Sequence, residues 1–188
     1  MTKAECREEA RRRLASILPQ REEKSRELIR RLIETEIFRT AKTVALFAPI
    51  AGEPLIEALW ENAARQQFCY PRVFGSELQL LRVGSREEVA EKSWHPQVRE
   101  PAFSSERIVS LEEVDLLLVP GLAFTPEGRR LGRGGGFYDR LLALRGLKTR
   151  TFGVCFDAQI FPQLPLEPHD ESVDAVLTES GVLPAEPC

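Results

Sequence analysis

The chain is short of the residues from which hydrolytic and redox sites are commonly built: two histidines, four cysteines and one methionine among 188 residues. His95 and His169 stand far apart and fall in neither an HExxH nor a GxSxG pattern, so zinc or serine hydrolysis has no support in the sequence. Cys6, Cys69, Cys155 and Cys188 are equally scattered, without CxxC spacing, which suits a reducing, cytoplasmic setting; Cys155 reads as a core strand residue. Long apolar runs are missing too. Leu116 to Val119 falls far short of the roughly 20 residues that cross a bilayer. The opening residues read as a charged helix rather than an apolar signal segment, so no membrane association is expected. Nor is there an excess of positive charge. The 26 Lys and Arg against 29 Asp and Glu leave a net charge of −3, so nucleic acid is not an expected partner and an anionic ligand must be captured by local groups.

What is present is the make-up of a globular protein, 43% apolar and 29% charged. A chain of this length fits one domain, and residues 1–188 are read as a single unit acting as a monomer. Cys6, Ala10, Leu14 and Leu18 recur at helical spacing, as do Leu28, Ile29, Leu32, Ile33 and Ile37 after a break at Pro19, so two amphipathic helices open the chain. Strands are expected at Thr43–Ala48, Gln67–Val73, Glu77–Val83, Asp115–Val119, Thr149–Phe156 and Val173–Thr178, with helices from Pro54 to about Arg65 and from about Gly134 to Leu144. Ser85 to Ser110, rich in Pro, Ser and charge, reads as an irregular connection with one helical turn at Arg86–Ala90. Strands separated by helices predict an α/β fold in three layers, an open and mostly parallel sheet with helices on both faces.

The chemistry concentrates between Pro120 and Leu142. A continuous apolar strand ends in Pro120-Gly121-Leu122-Ala123-Phe124, followed by Arg130-Leu131-Gly132-Arg133-Gly134-Gly135-Gly136-Phe137-Tyr138-Asp139-Arg140. Glycines between a buried strand and a helix let backbone N–H groups approach a phosphate, and the helix N-terminus favours negative charge. Arg130 and Arg133 offer forked donors to phosphate oxygens, and Asp139 offers a hard carboxylate oxygen for magnesium. The same stretch also reads as a plain glycine turn before a core helix with solvated arginines. It is neither a Walker loop, which needs Gly-Lys-Ser/Thr, nor a GxGxxG dinucleotide loop.

These two runs resemble the signature of the 5-formyltetrahydrofolate cyclo-ligase family, and weaker correspondences extend from Lys3 and Arg7 to Val173-Asp174-Ala175-Val176-Leu177-Thr178-Glu179. The resemblance implies ATP and Mg²⁺ as cofactors and 5-formyltetrahydrofolate as substrate. It implies ATP binding by Lys3, Arg7, Arg130, Leu131, Gly132, Arg133, Gly134, Gly135, Gly136, Phe137 and Tyr138, with Arg133 catalytic. It implies folate contacts by Ala48, Glu53 and the stretch Arg133, Gly134, Gly135, Gly136, Phe137, and magnesium ligands at Asp139 and Asp174. Taken alone, Lys3 and Arg7 also fit a solvated helix face, and Glu53 and Asp174 fit turn carboxylates. The chain departs from the family pattern at Phe137, where tyrosine is common. It does so again at Leu80 and Leu81, where a methionine is often near the folate, and at Trp94, two residues farther than usual from Glu100-Pro101.

The implied reaction closes the N5 formyl carbon onto N10 to give 5,10-methenyltetrahydrofolate, with ATP converted to ADP and phosphate through a phosphorylated formyl intermediate. A phosphate-holding sugar-phosphate isomerase or CoA-transferase-like enzyme is the rival without an ATP requirement. A catalytically silent folate- or nucleotide-binding relative is the rival without turnover.

Overall fold

The computed structural model describes residues 1–62, 65–93, 96–146 and 148–185, so Trp94, His95 and Cys188 lie outside the described residues. Thr2 opens the first helix with a reciprocal capping box to Glu5, and α1 (Lys3–Ile17) buries Cys6, Ala10 and Leu14 on one stripe. Pro19 sits in a 3-10 turn, after which α2 (Arg21–Glu34) buries Ser25, Leu28, Ile29 and Leu32. The expected second helix stops short of Ile37. Thr35 leaves helical geometry at ψ 142° and caps a separate short helix, α3 (Glu36–Thr40), through Phe38 N.

The strands follow as β1 (Thr43–Ala45), β2 (Gln67–Phe74), β3 (Glu77–Val83), β4 (Glu91–Lys92), β5 (Arg99–Glu100), β6 (Ile108–Val109), β7 (Leu116–Pro120), β8 (Ala123–Phe124) and β9 (Arg130–Leu131). Helix α4 (Phe137–Ala143), β10 (Arg150–Val154), β11 (Ala175–Leu177) and β12 (Val182–Pro184) complete the chain. The segment expected as a helix after Pro54 is a 3-10 helix at Ile56–Glu61, with Ala63 and Ala64 outside the described residues. The segment 85–110 contains the β4–β5 hairpin and β6 as well as the expected turn.

Eight strands form one sheet in the order β12-β11-β10-β7-β1-β2-β3-β6. The inner five, β11-β10-β7-β1-β2, pair in parallel, and antiparallel partners close both edges. Alternation along the inner strands divides the core. Val44, Leu46, Leu116, Leu118, Phe152 and Val154 pack under α2, α3 and the 3-10 helix. Ala45, Leu117, Val119, Cys155 and Val176 pack with Leu141 and Leu142 of α4. Strands sandwiched this way read as continuous apolar runs, and full burial of each Leu or Phe contributes about 1.5–3 kcal/mol. Among the described residues no helix is long and apolar enough to cross a membrane.

Two consequences of this topology place the site. The chain moves from β1 outward to β2 but returns to β7 on the other flank and continues to β10, so the strand order reverses between β1 and β7. In such sheets the crevice beyond the carboxyl ends at the reversal is where ligands bind. Helix α1 lies over this end, its Cys6, Ala10 and Leu14 stripe clustered with Leu122, Ala123, Leu131, Phe156, Phe161 and Leu164.

Candidate functional site

The loops leaving β1 and β7 meet at the reversal. After β1 the chain turns at Gly52 and delivers Glu53, whose side chain is buried; after β7 it forms the β8–β9 hairpin and then the glycine loop. Arg133 in that loop donates from Nε and Nη2 to Glu53 Oε1 at 3.3 and 3.1 Å. Arg7 of α1 donates to Gly132 O at 3.0 Å. Two segments remote in sequence therefore converge on the loop, and the stretch expected to hold phosphate is open: Arg133, Gly134 and Gly135 are exposed.

Helix α4 begins at Phe137, three residues later than the spacing predicts, because the preceding backbone cannot be helical. Gly134 has φ 107° and Gly136 φ 66°, conformations from which a side chain is disfavoured. Guanidinium groups crowd the same backbone. A side-chain carbon at Gly132 would come within 2.8 Å of Arg130 Nη1, and one at Gly136 within 2.6 Å of Arg140 Nη1.

The arginines differ in how their charge is met. Arg130, with its side chain 3% exposed, pairs with Asp139 at 2.6 Å beneath the loop. Arg133, 41% exposed, pairs with Glu53. Arg7 and Arg140 have no carboxylate partner among the described residues: Arg7 is held by Gly132 O, and Arg140 donates to Ser76 O and Gly135 O at 2.8 and 2.9 Å while lying over the Phe137 ring. Those two uncompensated cations flank the exposed backbone, the arrangement an anion seeks. Arg140 closes the run read from the sequence but has no role assigned there; its place one helical turn after Gly136 is the signal for one.

Lys3 stands apart from the loop contacts. Its Nζ pairs with Asp170 at 2.7 Å and Glu167 at 3.0 Å. Burial works against the Lys3 charge, but the hydrogen bonds and charges of Asp170 and Glu167 outweigh it and hold its pKa above the usual lysine value. Leu131 turns its side chain into the core under α1, so only its backbone borders the loop. Ala48 is half-buried beyond the end of β1.

The two aspartates are not joined. Asp139 Oδ1 accepts from Arg130 Nη2 and Glu171 N, whereas Asp174 Oδ2 accepts from Thr151 N and Oγ1, with Arg145 3.7 Å from its Oδ1. They share no hydrogen-bond or ion-pair partner among the described residues.

Electrostatics mark Glu53. Burial raises its pKa, and the Arg133 charge, the Ile50 N–H and the Arg21 charge only partly counter that. Tyr138 of α4 is also raised, by burial and then by the nearby Glu53 charge. Burial pushes the Cys69 thiol up to about 12 and Cys155 well above the ordinary range, so neither is a ready nucleophile.

Two residues given no role in the sequence reading, Arg21 and Ser25, shape the Glu53 turn. Arg21 Nε donates to Glu53 O at 2.7 Å and its Nη2 to Ile50 O at 2.9 Å, and Ser25 Oγ accepts from Leu55 N at 3.0 Å. The legible clue is that Arg21 is the first residue of α2, where the positive end of the helix disfavours a cation.

The model of the 5-formyltetrahydrofolate cyclo-ligase family matches residues 1–179. The 5-formyltetrahydrofolate cyclo-ligase of Escherichia coli K12 is 32% identical over 185 residues, covering 91% of this chain and 96% of the relative. The mouse protein of that name is 30% identical over 165 residues, covering 82% and 81%. The NMR structure of Aquifex aeolicus 5,10-methenyltetrahydrofolate synthetase superposes with a TM-score of 0.86 at 33% identity, over 100% of this chain and 95% of that one. The Mycoplasma pneumoniae 5,10-methenyltetrahydrofolate synthetase, at 20% identity, shares the fold with a TM-score of 0.73 over 95% and 99%. Matched over residues 1–179, the chain belongs to the 5-formyltetrahydrofolate cyclo-ligase family.

Proposed function

We propose that this enzyme cyclises 5-formyltetrahydrofolate to 5,10-methenyltetrahydrofolate with conversion of ATP to ADP and phosphate, in the cytoplasm and as a single-domain monomer. The observation that carries the reading is the convergence of Arg7, Arg133 and Glu53 on one exposed glycine loop at the strand-order reversal. Family membership favours this over a phosphate-binding isomerase.

The obstacle in the reaction is the formyl oxygen, which does not leave as hydroxide near neutral pH. In the proposed course that oxygen attacks the γ-phosphorus and ADP departs. N10 then attacks the activated formyl carbon, the C–O bond breaks with its electron pair leaving on phosphate, and N10 loses its proton to solvent. Such a sequence asks the protein for alignment and charge neutralisation rather than a covalent nucleophile, in keeping with the raised thiols of Cys69 and Cys155.

The residues fit the roles. The exposed backbone of Gly134 and Gly135, with Gly132 and Gly136 beside it, offers N–H groups to phosphate oxygens. Lys3, Arg7, Arg130, Leu131, Arg133, Phe137 and Tyr138 complete the nucleotide side, Arg130 by carrying the loop from below. Arg133 is placed to neutralise charge on the transferring phosphoryl group. Glu53 and Ala48, with Arg133 to Phe137, face the folate. Asp139 and Asp174 would hold magnesium: the hydrogen bonds to Asp139 converge on Oδ1, which leaves Oδ2 as a hard oxygen, and Asp174 would offer Oδ1, which faces Arg145 at 3.7 Å. Bound there, the ion supplies neutralisation of phosphate charge.

The test is the ultraviolet absorbance of the methenyl product formed by purified protein with 5-formyltetrahydrofolate and Mg²⁺, with and without ATP. Product that grows only with ATP is expected. Equal growth without ATP would remove the phosphoryl step, and no product under either condition would leave a silent binding protein.

A further inference from the structure

Between the end of β1 and the 3-10 helix, residues 47–55 form no regular element, yet this stretch must hold a buried carboxylate in place. Within the turn, Glu53 N donates to Ile50 O at 3.1 Å and Ile50 N to Glu53 Oε2 at 3.1 Å. From outside the turn, Arg21 spans it, taking the carbonyls of Ile50 and Glu53 with two arms of one guanidinium. Ser25, one helical turn on and buried, fixes the next residue but one by accepting from Leu55 N.

That placement is costly enough to need a reason. Arg21 occupies the first position of α2, against the sign of the helix dipole, and burial lowers its pKa. A planar fork can satisfy two carbonyls of one turn at once, which a lysine ammonium, a single nitrogen on a flexible stem, cannot do with the same geometry. The two carbonyls are those of the residues whose N–H and carboxylate orient the Glu53 side chain, and the free oxygen of that carboxylate receives Arg133.

We infer that Arg21 is a positioning residue for this site: it clamps the turn after β1 so that the Glu53 carboxylate stays aimed at Arg133 and at the folate. The inference rests on the reading of Glu53 as a substrate contact. Among the described residues, the charged or titratable groups acting on Glu53 are Arg133 from the glycine loop, Arg21 from α2 and Tyr138 from α4.

The experiment compares full-length Arg21→Met and Arg21→Lys with the unsubstituted enzyme. It measures the KM for 5-formyltetrahydrofolate, the KM for ATP, and the pH titration of the Glu53 carboxyl by ¹³C NMR, assigned by loss of its signal in Glu53→Gln. Arg21→Met is expected to raise the folate KM about tenfold while the ATP KM stays within about twofold, and to move the Glu53 midpoint upward. Arg21→Lys, which keeps the charge but not the fork, is expected to bring the midpoint back toward the original and leave the folate KM raised. A folate KM unchanged in both variants, or an equal rise for folate and ATP, overturns the inference, because a merely structural loosening has no reason to choose one substrate. If Arg21→Met does not fold, the same two criteria are read from Arg21→Lys. If the unsubstituted enzyme makes no methenyl product, the proposed function fails. The clamp is then judged on the titration alone, and an unmoved midpoint in Arg21→Met, or in Arg21→Gln if Arg21→Met does not fold, overturns it.

Discussion

Arg130 and Arg133 belong to one loop and carry the same guanidinium, yet the structure uses them differently. Arg130 is sealed beneath the backbone with Asp139, its Nε buried without a partner, and its Cζ lies 5.8 Å from the Tyr138 ring centre. Arg133 lies at the surface, tied to a carboxylate that is itself buried. One arginine braces the loop from below and the other works at its open side. The difference comes from the chain segments each one meets: Arg130 faces the start of α4, and Arg133 faces the turn after β1.

This contrast is best tested by breaking each pair in turn. Arg130→Met is expected to have the largest effect, a loss of about 3–5 kcal/mol in urea unfolding, because Asp139 is left part-buried without its cation. Arg133→Ala is expected to lower turnover by roughly 10²–10³ and to destabilise the fold less than Arg130→Met, since Arg133 is 41% exposed and the Ile50 N–H and Arg21 still face the Glu53 carboxylate. A destabilisation equal to that of Arg130→Met would erase the distinction, and an unchanged rate would take Arg133 out of the chemistry.

A smaller effect sharpens the comparison from the side of the carboxylates. Glu53 has its folded pKa raised by burial, so its proton is held more tightly in the folded than in the unfolded protein. Its contribution to stability is therefore full below the ordinary carboxylate value of 4.5 and is lost as pH rises through the folded pKa. Glu53→Gln, which never ionises, is expected to gain stability relative to the original enzyme between mildly acidic and neutral pH. Urea unfolding at both pH values checks this, and a stability difference that does not change with pH would mean the Arg133 charge fully offsets the burial.

Much of the fold was legible because local pattern and burial agree. The stripe at Cys6, Ala10 and Leu14 and the apolar run Leu116–Val119 announced α1 and β7, and both are buried as their periods require. Legibility ended where backbone geometry outweighs composition. Thr35 splits the second helix by capping the next one, and the positive φ of Gly134 and Gly136 delays α4 to Phe137. After Pro54 the apolar spacing of Leu55 and Leu59 suits an α-helix, but the chain coils more tightly, as a 3-10 helix.

The candidate site divides along the same line. Its contiguous part, Arg130 to Asp139, is a sequence signature, and with it came the family and the ligase chemistry. What no stretch of sequence states is which charges face each other: Arg133 with Glu53, Lys3 with Asp170, Arg21 with the carbonyls of Ile50 and Glu53. Local pattern sets periodicity, turns and the residues on offer, because these depend on neighbours a few positions away. Ion pairing, burial and the raised carboxyl of Glu53 depend on atoms brought close only when the strand order reverses between β1 and β7, so only the folded chain decides them.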